Sequence, residues 1–122
     1  MSIEKLKQRY KDFAIKVAEL IRELPLNNIN NPYCNQLIRS SSSSAANYRA
    51  ACRGKSTPDF INKLKIVEEE LDEAIFFLEL LAHFNSGFEE KIILLINEGN
   101  ELLAITVQSI KTSRLNQNPN KK

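Results

Sequence analysis

The sequence predicts an all-α protein: an up-down-up-down antiparallel four-helix bundle that assembles into a homo-oligomer. Three observations carry that expectation. Four segments repeat their apolar residues at helical spacing. Each segment has start and stop signals, and the joints between them are short. The 122 residues hold only 3 Gly, 4 Pro and no Trp, too little punctuation for a sandwich or barrel, which needs a turn signal every ~8–12 residues. With 43% apolar and 26% charged residues the chain is of the globular type, and its length suits one domain. We place the bundle at residues 1–115, with helices at about 2–24, 32–53, 58–85 and 88–114, and a disordered polar tail at 116–122.

The first segment spaces Leu6, Tyr10, Phe13, Val17, Leu20 and Leu24 alternately by four and three residues, which puts them on one helix face. Pro25 ends it, because the residue before a proline resists helical geometry. An Asn-rich connection follows. In the second segment Asn31 is the candidate N-cap, Pro32 the first helical residue and Gly54 the C-cap. Its stripe reads Cys34, Ile38 (with Leu37), Ser41, Ala45, Tyr48 and Cys52. Five serines at 40–44 could mark a break. The periodic residues on both sides favour a continuous helix with a thin waist.

Thr57, Pro58 and Asp59 open the third helix as cap, first-turn proline and dipole partner. Its stripe is Phe60, Leu64, Val67, Leu71, Ala74 (with Ile75), Leu78 and Leu81. Gly87 marks the last turn. The fourth helix has Glu89 and Glu90 in its first turn and buries Phe88, Ile92, Leu95, Gly99, Leu102, Thr106 and Ser109.

The third and fourth helices carry more apolar surface than one bundle can hide. Phe76 and Phe77 lie outside the third stripe, and Ile93, Ile96, Leu103, Val107 and Ile110 form a second stripe on the fourth. An exposed apolar patch of that kind marks an association surface. These seven residues are the candidate oligomer interface.

Net charge is +2 but unevenly divided. Residues 1–57 carry 10 Lys/Arg against 4 Asp/Glu, net +6, and residues 58–122 carry 7 against 11, net −4. The halves can pair with each other, or the basic half can attract a polyanion. Arg49, Arg53 and Lys55, together with Arg39, are the candidate nucleic-acid contacts, since guanidinium groups pair bidentately with phosphate. Lys5, Lys7, Arg9 and Lys11 could extend that surface. No aromatic residue is interleaved with these charges, so single-strand base readout is not expected. Counting outward from a turn near residue 55, Arg39 falls opposite Leu71. That makes Arg39, Asn47, Glu70, Asp72 and Glu73 a candidate structural network fixing the register of two helices.

Catalytic signals are weak. His83 has Glu79 four residues before it, but two ligands make no metal site. The acidic run Glu68, Glu69, Glu70, Asp72, Glu73 points around the helix rather than into one site. There is no phosphate loop, dinucleotide fingerprint or zinc spacing. No catalytic residue, metal or cofactor is expected. Cys34 and Cys52 lie on one helix, about 27 Å apart at 1.5 Å per residue, too far for a disulfide. No run approaches the ~18 apolar residues of a membrane helix, and the charged start lacks a signal segment. The expectation is a cytoplasmic protein with no membrane partner.

The middle of the chain resembles a known family. Its residues are Asn35-Gln36-Leu37-Ile38-Arg39-Ser40, Ala46-Asn47-Tyr48-Arg49-Ala50-Ala51-Cys52-Arg53, Ser56, and Asp59-Phe60-Ile61-Asn62-Lys63-Leu64. Val67-Glu68-Glu69-Glu70-Leu71-Asp72-Glu73 and Phe77-Leu78-Glu79-Leu80 complete the series. It is similar to the small four-helix-bundle proteins first noticed as reading frames inside intervening sequences of 23S ribosomal RNA genes. Related bundles are accessory variability proteins of diversity-generating retroelements. The similarity spans about residues 5–110, and its specific part is 35–80.

The resemblance implies a homopentamer with a central channel and no known catalytic activity. It implies functional or structural roles for Arg39, Asn47, Arg53 and Phe60, with Glu70 and Glu73 as partners. For the retroelement branch it further implies nucleic-acid binding and a reverse-transcriptase partner. The near-balanced charge of this chain lies closer to the ribosomal-insertion branch. The functional expectation is a non-enzymatic bundle that binds ribosomal RNA, DNA or a ribonucleoprotein through its basic half. The alternative is a protein-interaction scaffold using the exposed apolar stripe.

Overall fold

A computed structural model describes residues 1–117. It contains α1 (Ile3–Glu23), α2 (Asn30–Ala51), α3 (Thr57–Phe84) and α4 (Glu89–Gln117). Each helix packs on its sequence neighbour and α4 closes back on α1, with no diagonal contact. Residues early in one helix meet residues late in the next, as the pairs Asn30–Asn85 and Arg39–Glu70 show. The topology is therefore the expected antiparallel up-down-up-down bundle. α2 and α3 are the most extensively packed pair, and α1 and α4 the least.

The helix ends follow from local chemistry. Ser2 caps α1 by accepting from the Lys5 amide at 3.2 Å. Leu24, held by Pro25 in extended geometry, ends it. α2 starts earlier than expected. Its N-cap position is Ile29, not Asn31, and Pro32 sits in the first turn. Asn27 supplies the missing acceptor: its Oδ1 takes the amides of Ile29 at 3.0 Å and Asn30 at 2.7 Å. Ser56, rather than the adjacent Thr57, caps α3 by accepting from the Asp59 amide. Gly54 is not a left-handed C-cap. Its amide closes on the Ala51 carbonyl at 2.9 Å, and a Cβ there would lie 2.9 Å from Asp59 Oδ2. Gly87, with φ of 93°, makes the α3–α4 turn. α4 runs three residues beyond the expected end, so residues 116 and 117 of the expected tail are helical. Residues 118–122 lie outside the described part.

The core is built from Tyr10, Phe13, Val17, Leu37, Leu64, Leu71, Leu78, Leu81, Ile92 and Leu102, all essentially inaccessible. The serine run continues the helix. Ser40, Ser41 and Ser44 are buried, and each hydroxyl donates to the carbonyl three residues back: Leu37, Ile38 and Ser41. That internal bond removes the desolvation penalty of a buried hydroxyl. Their small volume lets α3 approach closely.

The phase of α2 differs from expectation. Leu37 and Ser44 point inward, Ile38 is exposed, and Ala45 and Cys52 are half-buried. Gly99 is buried where α4 crosses α3, and a Cβ would lie 3.0 Å from Ile75 Cγ1.

Opposite ends of the bundle are held differently. Where α1 and α3 end, Asn30 and Asn85 exchange side-chain amide hydrogen bonds of 2.8 and 2.9 Å. At the other end Tyr10 stacks on Tyr48 with centroids 4.6 Å apart, and its hydroxyl bonds the Thr106 hydroxyl. Burial pushes the Tyr10 phenol up to about 12 and raises Tyr48 as well.

Candidate nucleic-acid interface

Four cations converge on the α1–α2 seam. Lys7 and Lys11 stand one turn apart on α1, Arg49 lies in the last turn of α2, and Arg53 follows in the turn just beyond it. The Tyr10–Tyr48 stack beneath them sets the two helices level. The four side chains line a groove of about 480 Å³, with Ala45 and Ala46 among its lining residues. Glu4 and Gln8 complete its wall. Lys7 reaches Glu4 at 3.2 Å. Lys11, Arg49 and Arg53 enter no ion pair among the described residues.

Lys55 lies beyond the end of α2, exposed, on a cavity adjoining the groove. Arg9 does not join the basic surface. It turns to α4, where its Nε donates to Glu98 at 2.9 Å and Glu101 lies 3.8 Å away. The hydrogen bond to Glu98 raises its pKa further.

A second groove, about 520 Å³, runs between α1 and α4. Its rim alternates sign, with Asp12, Lys16, Glu19 and Glu98 among the lining residues, and the Lys91–Glu23 pair closes one end at 2.6 Å. Mixed charge of that kind offers a polyanion no net attraction.

Arg39 faces α3. Its guanidinium donates to Glu73 at 2.6 Å and to Glu70 at 3.1 Å, and both carboxylates stabilise its charged form, Glu73 most. The expected network is therefore smaller than five residues. Asn47 is not in it: its amide donates back to the Ser43 carbonyl at 2.9 Å, because it sits on the flank of α2 toward its own preceding turn. Asp72 is exposed and bonds nothing among the described residues. It lies about 200° around α3 from Glu70 and about 100° from Glu73, off the face that meets Arg39.

The seven apolar interface candidates do not form one outer stripe. Phe76 and Ile93 are half exposed, at 53% and 50%. Phe77, Ile96 and Leu103 are partly buried against the core, and Val107 is partly buried. Ile110 is a core residue at 4% exposure, taking the inward position expected for Ser109. A step of four after Thr106 keeps pace with 3.6 residues per turn where a step of three would lag.

The aromatic surface includes two residues that the apolar pattern alone does not single out. Tyr33 packs on Phe77 at 6.0 Å and Phe84 at 6.2 Å, and Phe76 meets Phe77 edge-on at 5.5 Å. His83 is exposed and packs edge-on against Phe84. Among the described residues no three His, Cys, Asp or Glu side chains are placed to share a metal, and no helix is long and apolar enough to cross a membrane.

The family model for 23S rRNA-intervening sequence proteins matches residues 4–108. The chain belongs to the 23S rRNA-intervening sequence protein family. Its fold agrees with a crystal structure of a protein of unknown function, from the S23 ribosomal protein family of Bacteroides thetaiotaomicron. That structure is 30% identical, with a TM-score of 0.76, and the match covers 87% of this chain and 98% of that one. None of the functionally curated proteins is similar enough to count as a relative. Neither the family's description nor the neighbour's names a catalytic activity. The residues that carry the 23S rRNA-intervening sequence protein resemblance lie on α2, on α3 and in the turn between them.

Proposed function

We propose that this chain is a non-enzymatic, cytoplasmic RNA-binding bundle that grips the phosphate backbone of structured RNA in the α1–α2 groove. One observation carries the reading: Lys7, Lys11, Arg49 and Arg53 line one groove, with Glu4 the carboxylate among its lining residues. Phosphate contacts made by such a set are insensitive to base sequence. No aromatic side chain lines the groove, so backbone contact dominates over stacking there. The family's description ties its members to 23S ribosomal RNA, which makes ribosomal RNA or a ribonucleoprotein the first ligand to try. Two free cysteines suit a reducing compartment.

Titration with a ribosomal RNA hairpin at several salt concentrations tests this. About four displaced counterions predict a log–log slope of roughly −3 to −4. Absence of binding at low salt, or affinity independent of salt, refutes the groove as a phosphate site.

A second reading draws on the aromatic surface of Tyr33, Phe76 and Phe84 and on Ile93. Self-association through these residues would build the homo-oligomer, a pentamer in the form the resemblance implies; the exposure of Phe76, Phe84 and Ile93 is what favours it. The same surface serves the scaffold alternative. Native mass spectrometry and a variant at Phe76 address the assembly.

A further inference from the structure

The open end of the bundle, opposite the Asn30–Asn85 pair, holds a cavity of about 460 Å³. Its wall is shared with the basic groove. Along the chain, Cys52, Gly54 and Lys55 line the cavity while Arg53 lines the groove, and on α1 Ile3 lines the cavity while Glu4 lines the groove. The cavity residue Lys55 therefore follows the groove residue Arg53 by two positions.

The cavity differs from the groove in chemistry. Its lining includes half-buried Phe60 and the edge of buried Tyr48, together with the polar residues Ser56, Thr57 and Asn116. Flat apolar surface beside hydrogen-bonding groups is what an unpaired nucleobase requires. The volume lies in the range of sites for small ligands. The linear sequence interleaves no aromatic residue with the cations, but the fold brings Phe60 to the end of their row.

Resting on the groove reading, we propose that this cavity takes one unpaired nucleotide from a strand whose flanking phosphates lie in the α1–α2 groove. The ligand class is then structured RNA with a single-stranded end or bulge, rather than a fully paired helix.

The test compares three hairpin RNAs on the whole protein: one blunt, one extended by a single unpaired nucleotide, and one extended by a single abasic nucleotide. The expected result is binding of all three, with the unpaired nucleotide tightening affinity about tenfold, in the range of one stacked base, and the abasic extension matching the blunt RNA. Two blocking variants accompany it. Ser113→Leu fills the cavity from α4, and Asn116→Leu crowds its exposed rim, neither adding a ring on which a base could stack. Each is expected to abolish the gain while leaving blunt-hairpin affinity unchanged, with the helical melting curve confirming that the protein is folded. Equal affinity for blunt and extended RNA overturns the cavity but leaves the groove standing. A gain that survives in both folded variants, or that the abasic extension reproduces, also overturns it. Failure of every hairpin to bind at low salt overturns the groove reading itself.

Discussion

Asn30 and Asn85 bond each other twice, amide to carbonyl in both directions, from positions 55 residues apart. Both side chains are buried. Their remaining donors are met by the Pro25 carbonyl at 2.9 Å and the Leu81 carbonyl at 2.8 Å. The pair ties the start of α2 to the end of α3. Because a buried amide with its partners missing is costly, the pair also excludes neighbouring registers of the two helices.

Asn85→Ala leaves Asn30 buried with its side-chain oxygen unpaired. We expect a loss of about 2–3 kcal/mol in urea unfolding. The double variant Asn30→Leu, Asn85→Leu is expected to lose less than the sum of its two singles, and the double-mutant cycle measures that coupling.

The tyrosine pair sets an alkaline limit. A phenol whose pKa is raised on folding, from 10.0 to about 12 for Tyr10, binds its proton more tightly in the native state. Its stabilisation is intact below pH 10 and is lost as pH rises through 12. A rise of that size corresponds to about 2–3 kcal/mol. Urea midpoints measured from pH 9 to 12 should fall steeply over the upper part of that range. Tyr10→Phe should flatten the fall, leaving the contribution of Tyr48, whose phenol is also raised by burial.

Arg39 and the groove arginines should separate cleanly. Arg39→Ala removes exposed pairs with Glu70 and Glu73, so a small drop in melting temperature with unchanged RNA affinity is expected. Arg49→Ala and Arg53→Ala touch no ion pair, so melting is unchanged while each lowers affinity and reduces the salt slope by about 1. Circular dichroism and filter binding read the two effects independently.

Ser44 tests the thin waist. Ser44→Ala should be nearly neutral, since the hydroxyl bonds only within its own helix. Ser44→Leu forces extra volume between α2 and α3 and is expected to cost about 1–3 kcal/mol or to shift the backbone. Thermal melts of the two variants distinguish volume from hydrogen bonding.

Assembly is expected to depend on the exposed aromatic surface. Phe76→Glu should shift native mass spectra toward smaller species with little change in the helical signal. An unchanged stoichiometry would remove this surface from the interface.

Much of the fold is legible in the sequence because α1 and α3 carry strong alternation of large apolar and charged residues. The same contrast makes the register readable: counting from the α2–α3 turn puts Arg39 opposite Leu71, and its observed partner Glu70 is the adjacent residue. Legibility fails where contrast fails. In α2 the inward residues are mostly serine and alanine, so Leu37 and Ile38 compete for one position and burial alone decides. The cap of α3 was ambiguous because Ser56 and Thr57 are adjacent hydroxyls. The Asn30–Asn85 pair leaves no local trace, since an Asn-rich joint reads as an ordinary loop. The groove needed three dimensions too. Lys7 and Arg9 look equivalent in sequence, yet one faces α2 and the other is taken by Glu98 on α4.

The two poles of this molecule are built under different rules. One is stitched by a reciprocal amide knot that admits no other residue without penalty. The opposite pole presents cations and a half-open hollow, and its Lys11, Arg49 and Arg53 enter no ion pair among the described residues. Mutational drift at that pole can therefore retune what is gripped while folding stays intact, and one scaffold can diversify its targets over evolution by editing only its free rim.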